Sequence, residues 1–153
     1  MTERKLLSES EDRLLASLAH LGAFLPLAGL LLALILWITQ QGRSALLRFQ
    51  ALQALLFQGI ALALYYLASF VLAGVYFVFF FPFILISESG GGEEAAWVVI
   101  PFLVIFFGMV VLMVLAAAGY YLLAALAAVN TLRGRDYRYP LVGRWTEKLT
   151  PRR

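Results

Sequence analysis

Residues 48–58 read RFQALQALLFQ and open an apolar run that continues almost without a polar residue to Ile86. The stretch begins with a cation and carries three glutamines within three helical turns. A helix needs roughly 20 apolar residues to cross a bilayer, so this run is longer than one crossing requires. We therefore interpret the stretch as the point where a basic loop enters a membrane.

Composition and charge extend this interpretation to the whole chain. Of the 153 residues, 63% are hydrophobic and 14% are charged, whereas soluble domains average about 45–50% apolar and 25% charged residues. The charges are confined to four segments, residues 1–13, 43–48, 88–94 and 133–153. The sequence predicts an all-α polytopic membrane protein with a single domain, built as a small bundle of three long apolar segments.

Changes of composition along the chain predict its boundaries. The segments are a polar N-terminal segment (1–13), a first apolar segment (14–39), a central helix (45–86), an acidic loop (87–94), a last helix (95–131) and a basic tail (132–153). Ser10 is a candidate N-cap for the first helix, and Pro26 should break the first segment into an interfacial or re-entrant helix and a span. We expect the central helix to run to about Gly74 and to continue as an aromatic extension. The central and last segments should form a long antiparallel hairpin.

Topology depends on whether residues 14–39 cross the membrane once or turn back at Pro26. A single crossing leaves nine of the twelve Lys and Arg residues on one side, whereas a turn places all twelve there. The positive-inside rule favours the turn, although each half is short for a full crossing. We predict an inner or plasma membrane location, with both termini cytoplasmic and the acidic loop 87–94 outside.

Few residues could carry chemistry. The chain has one histidine, His20, and no cysteine, and a typical metal site needs three or four ligands. Neither long apolar run contains Asp, Glu, Lys or Arg between residues 49 and 87 or between residues 97 and 129, where coupled transporters generally place ionisable groups. The sequence predicts a non-enzymatic protein without a cofactor or a nucleic-acid partner. We expect His20 to bond a backbone carbonyl freed near Pro26, or a lipid headgroup.

Small and polar side chains recur on one face of the central helix at spacings of three and four. Such a face is typical of helix–helix packing, with a cavity lining as the alternative. The candidate contact residues are Gln50, Ala54, Gln58, Ala61 and Tyr65, with Ala124 and Ala128 on the last helix. The candidate interfacial and tail residues are His20, Trp37, Arg48, Tyr137, Tyr139, Pro140 and Arg144. Arg43, Arg48 and the tail should meet anionic headgroups, and another membrane protein or a second copy of this chain is the expected protein partner.

Three motifs carry a family resemblance: LASLAHLGAFLP near the N-terminus, RFQALQALLFQ, and LRGRDYRYPLVGR after the last helix. The chain resembles small bacterial membrane proteins of unknown function that are related to the Tic-twenty component of the chloroplast inner-envelope protein translocon. The resemblance implies four spans with both termini on one side, and a role related to protein translocation or as an accessory subunit of a membrane complex. A small oligomeric channel or passive transporter is the alternative hypothesis.

Overall fold

The computed structural model describes residues 2–40, 44–88 and 92–149, with side chains from residue 8 to residue 40, 44 to 88 and 97 to 149. Within these ranges all regular structure is helical, which confirms the predicted all-α class. The helices are α1 (Thr2–Leu21), a 3-10 turn (Gly22–Phe24), α2 (Pro26–Thr39), α3 (Ala45–Glu88), α4 (Gly92–Leu132) and α5 (Val142–Leu149). Arg43 lies outside the described residues, as do residues 89–91 of the predicted acidic loop and residues 150–153 of the tail.

The first apolar segment breaks where Pro26 predicted. Pro26 is the first residue of α2, a position that suits proline because its missing N–H has no partner there in any helix. Leu25, which precedes it, has φ −124° and ψ 82°, outside the helical region, as expected for a residue before proline. The turn also depends on Gly22 and Gly29, since a Cβ atom on Gly29 would overlap the carbonyl oxygen of Gly22.

Three helix boundaries differ from those predicted. α1 begins at Thr2 and not at Ser10, because residues 3–9, ERKLLSE, consist mainly of strong helix formers. α3 does not change at Gly74 but continues to Glu88 with Pro82 inside it, since apolar surroundings favour a helix that satisfies its own backbone groups. Glu88 and residues 92–94, predicted to be loop, are also helical.

The chain divides into two compact units, residues 1–62 with 119–153 and residues 63–118. In the first unit, which we call unit 1, alanines from three helices form a core: Ala19 of α1, Ala33 of α2, and Ala51 and Ala54 of α3 are all fully buried. Small side chains allow helix backbones to approach closely. A second cluster joins Ala127 of α4 to Tyr139 and Val142 of the tail.

The tail begins at a helix stop centred on Gly134. Its N–H donates to Thr131 O at 3.0 Å, and the N–H of Arg135 donates to Asn130 O at 2.9 Å. This pair of bonds is the Schellman arrangement, which requires a left-handed residue at the position of Gly134. Gly134 has φ +74°, and the chain reverses there toward α3.

The second unit, unit 2, consists of the adjoining parts of α3 and α4. Aromatic contacts join the two helices, with Phe102 ring centroids 6.2 Å from Tyr76 and 6.1 Å from Phe79. Most large side chains point outward; Trp97 is 81% exposed and Phe70 is 79% exposed. By length and composition, Ala45–Glu88 and Trp97–Leu132 can each cross a membrane, while Pro26–Thr39 is a shorter apolar helix.

Candidate functional site

Buried polar side chains concentrate in unit 1, where α1, α3 and the tail meet. His20, Gln50, Gln53 and Thr131 are 0–1% exposed, and Tyr139 is 2% exposed. We call His20, Gln50, Gln53 and Tyr139, with Asp136 and Tyr137 beside them, the polar cluster. Leucines of α1 such as Leu14 and Leu18 face outward instead, at 52% and 39% exposure. α1 therefore turns its polar face to protein and its apolar face outward.

His20 lies at the centre of the polar cluster and bonds side chains on two other elements. Its Nε2 lies 3.0 Å from Gln50 Oε1, and its Nδ1 lies 3.2 Å from the Tyr139 hydroxyl. Since the amide oxygen of Gln50 can only accept, the ring proton is assigned to Nε2. Nδ1 then accepts the hydroxyl proton of Tyr139, so both ring nitrogens of the neutral imidazole are satisfied.

Gln50 continues this chain of hydrogen bonds to the tail. Its Nε2 donates to Tyr137 O at 3.1 Å and to Asp136 Oδ1 at 3.3 Å. Gln53, one turn further along α3, donates to the same Tyr137 carbonyl at 3.4 Å. The polar cluster thus fastens a tail segment, which is distant in sequence, to the beginning of α3.

The environment of the polar cluster disfavours charge. Burial lowers the pKa of His20 from 6.5 to about 4, although the bond to Gln50 acts in the opposite direction. Burial likewise raises the pKa of Tyr139, with the neighbouring tyrosines adding to the effect, and it raises the pKa of Tyr137. In each of these three groups desolvation penalises the charged form. At neutral pH the buried members His20, Gln50 and Tyr139 form a neutral network suited to holding elements together.

Aromatic rings also surround Tyr139 of the tail. Phe57 stacks on Tyr139 with ring centroids 3.9 Å apart and an interplanar angle of 9°, and Tyr120 in turn stacks on Phe57 at 5.1 Å. Tyr137 meets Tyr139 edge-on at 5.3 Å. Such ring pairs contribute about 0.5–1.5 kcal/mol each beyond the area that they bury. Tyr139 is therefore held by its ring as well as by its hydroxyl.

The expected contact between His20 and a freed carbonyl is wrong, because other residues satisfy the carbonyls at the helix break. Gln58 Nε2 donates to Ala19 O at 2.8 Å, and the Tyr120 hydroxyl donates to Ala23 O at 3.4 Å. His20 is fully buried, so it does not contact a headgroup either. The reason is that α1 presents His20 on its protein-facing side, toward Gln50.

The other predicted residues divide between buried and exposed positions. Within the predicted contact set, the buried members are Gln50, Ala54, Gln58, Ala124 and Ala128. Ala61 is half-buried, whereas Tyr65 belongs to unit 2 and is 57% exposed, so it does not join the polar cluster. Among the predicted interfacial residues, Trp37 packs partly buried against the alanine core, Arg48 is half-buried, and Pro140 and Arg144 are exposed.

Three participants were not predicted from the sequence: Gln53, Asp136 and Tyr120. Gln53 lies three residues after Gln50, so helical spacing alone could have placed it beside the predicted face. Asp136 and Tyr120 gave no such signal, since their partners are 86 and 97 residues away in sequence. Among the residues whose side chains are described, no group of three or more His, Asp or Glu side chains could hold a metal ion.

Two helices of spanning length with apolar outward faces, joined to a bundle whose polar side chains turn inward, define a small integral membrane protein. The sequence matches the profile of the magnetosome magnetite crystal formation protein family, MamF/MmsF, over residues 11–146. The chain belongs to that family, whose members are magnetosome membrane proteins involved in crystal formation. No curated protein and no solved structure matches it.

This membership corrects the resemblance to the Tic-twenty-related proteins, which is wrong. The motifs that suggested it, including RFQALQALLFQ, lie within the matched residues. In this structure they form α1 with the turn that follows it, the beginning of α3, and the tail segment that is bonded to α3. The inference of a translocation role rested on that resemblance and is withdrawn with it.

Proposed function

We propose that this chain is a non-enzymatic membrane subunit that supports crystal formation by binding other proteins within the membrane. The observation that carries the proposal is the outward surface of unit 2, which is apolar and aromatic on both helices. Phe70, Phe77 and Phe107 are 79%, 68% and 59% exposed. A surface of this kind suits packing against lipid tails or against another transmembrane helix.

The central side chains of the polar cluster in unit 1 are already bonded within the chain, which leaves its apolar surface for a partner and supports the same proposal. His20, Gln50 and Tyr139 are bonded to one another and to the tail, so their hydrogen bonds serve the internal packing of the chain. The groups left for a partner are then the outward apolar side chains. The oligomeric channel stays a prediction, and no contact among the described residues favours it over protein binding.

Site-specific photocrosslinking tests the partner directly. Phe77 and Phe79 are two residues apart on α3, but Phe77 is exposed whereas Phe79 contacts Phe102 of α4. A benzophenone amino acid at Phe77 should crosslink to a second protein in native membranes, while the same group at Phe79 should crosslink within the chain. If the probe at Phe77 forms adducts only with lipid, protein binding through this surface is refuted.

The link to crystal formation needs a separate measurement. In a magnetite-forming bacterium that lacks its own family member, expression of this chain should restore the size and number of crystals seen by electron microscopy. A variant with Phe70→Ala and Phe77→Ala should restore less, and Phe79→Ala serves as the control for packing within unit 2. Unchanged crystals with and without the chain would show that the family role does not extend to it.

We also propose an orientation with both termini in the cytoplasm and the connection between α3 and α4 outside. The support is the distribution of charge, since Arg133, Arg135 and Arg144 follow the end of α4 and Arg48 opens α3. Lys and Arg accumulate on the cytoplasmic side of membrane proteins. Arg48, which is half-buried, then lies where anionic headgroups are available.

A further inference from the structure

α5 (Val142–Leu149) presents two different faces, one buried against unit 1 and the other largely exposed. Val142, Gly143 and Thr146 are buried against unit 1. Trp145 and Leu149 lie four residues apart on α5, and Leu141, directly before the helix, continues the same spacing, so the three form one stripe. They are 76%, 56% and 63% exposed.

Basic side chains border this stripe. Arg144 and Lys148 are exposed and lie one position before Trp145 and Leu149, which places them along one edge of the stripe. The acidic residue of the helix, Glu147, is already paired with Arg138. The edge that faces away from the protein therefore combines large apolar side chains with positive charge.

The contacts of the tail fix where α5 begins relative to α4. Tyr139 and Val142 pack with Ala127, which lies about 8 Å along the helix axis from the end of α4 at Leu132. The outward residues of this part of α4 are still apolar, with Leu126 44% and Val129 42% exposed. The first arginines follow directly, at Arg133 and Arg135. α5 thus starts at the level where α4 passes from apolar to charged sequence.

We propose that α5 is an interfacial anchor whose Leu141–Trp145–Leu149 stripe inserts into the surface of an anionic bilayer, with Arg144 and Lys148 against the headgroups. Tryptophan favours this depth because its ring is amphipathic. Basic residues beside an apolar face add attraction to anionic lipid. This inference is independent of the partner binding proposed for unit 2, because it concerns different residues and a different ligand.

Tryptophan fluorescence of the full-length chain tests the anchor. Trp37→Phe and Trp97→Phe leave Trp145 as the single tryptophan, and the protein is reconstituted in nanodiscs of phosphatidylcholine with or without phosphatidylglycerol. Lipids brominated near the carbonyl end of the acyl chains should quench Trp145 about twofold in the anionic discs. Acrylamide in the water should quench it weakly. Circular dichroism of each variant verifies that the helices are intact.

A double variant tests whether insertion into an anionic bilayer requires the two basic side chains of α5. Arg144→Gln with Lys148→Gln should remove the difference between anionic and neutral discs, since both side chains are exposed and neither has a hydrogen bond or ion pair within the described part of the chain. Equal bromine quenching in both lipids with the native charges would overturn the assignment to an anionic surface. Quenching by acrylamide alone would place the stripe in water, and protection from both quenchers would mean that a protein covers it; either result refutes the anchor.

Discussion

At the level of single residues, His20 couples folding of this protein to pH. Its pKa falls from 6.5 to about 4 on burial, so the unfolded chain binds the proton more readily than the folded chain. The contribution of His20 to the free energy of unfolding should be constant above pH 6.5, should fall as the pH drops toward about 4, and should be constant again at lower pH. The total loss is about 3 kcal/mol, from about 1.4 kcal/mol per pKa unit.

Unfolding of the detergent-solubilised protein as a function of pH measures this effect. The informative quantity is the difference between the native chain and His20→Gln, because every other ionisable group is common to both. That variant should lose most of the pH slope between 6.5 and 4. A native chain and a His20→Gln variant with the same slope would show that His20 is not buried in its neutral form.

Gln50 and Gln53 offer a matched comparison within the polar cluster. Both side chains are fully buried on α3, but Gln50 makes three bonds whereas Gln53 makes one, at 3.4 Å, and its Oε1 has no partner among the described residues. Gln50→Leu strands the ring N–H of His20 and should lower the free energy of unfolding by about 1–3 kcal/mol. Gln53→Leu should cost clearly less. Equal losses in denaturant titrations would mean that the network does not distinguish the two positions.

At the level of elements, the turn between α1 and α2 depends on the absence of side chains. Gly29→Ala should be strongly destabilising, because its Cβ would meet the backbone of Gly22, and backbone cannot give way as a flexible side chain can. Overpacking of this kind costs about 1–3 kcal/mol. Gly59→Ala is the control in the same unit, since its Cβ would lie 3.8 Å from a methyl of Leu30, an ordinary contact.

Thermal unfolding and the yield of monodisperse protein in detergent distinguish the two glycines. Gly59→Ala should be neutral or slightly stabilising, because alanine is the better helix former by about 1 kcal/mol. Gly29→Ala should melt at a lower temperature and give less protein. If both variants behave alike, the close approach of Gly22 and Gly29 does not exist in solution.

The same elements show what the sequence could and could not predict. The two spans and the break at Pro26 follow from local composition, which sequence displays directly. The predicted start of α1 at Ser10 is wrong because the residues before it are polar, and polarity alone does not distinguish a helix from an irregular segment. The return of the tail was also missed, since the bond from Gln50 to Tyr137 joins residues 87 positions apart and leaves no periodic signal. No helix was predicted within the basic tail, where Pro140 and Gly143 are residue types typical of turns, although α5 forms there.

At the level of the whole molecule, the distribution of charge and the hairpin of α3 and α4 favour the same orientation in the membrane. A hairpin returns the chain to the side from which it entered, so Arg48 at the beginning of α3 and Arg133 after the end of α4 belong to the same side. If α1 and α2 turn back at Gly22–Phe24, the N-terminal cations join them. All Lys and Arg residues of the chain then lie on one side of the membrane, which is the arrangement that the positive-inside rule favours.

Cysteine labelling in intact cells tests this orientation without background, because the chain has no native cysteine. Thr2→Cys and Glu88→Cys place one thiol at the N-terminus and one at the exposed end of α3. An impermeant maleimide should label Glu88→Cys in intact cells, and it should label Thr2→Cys only after the membrane is opened. Labelling of Thr2→Cys in intact cells, together with protection of Glu88→Cys, would reverse the orientation. Labelling of both would mean that residues 14–39 cross the membrane once, which places the N-terminus on the same side as the connection between α3 and α4.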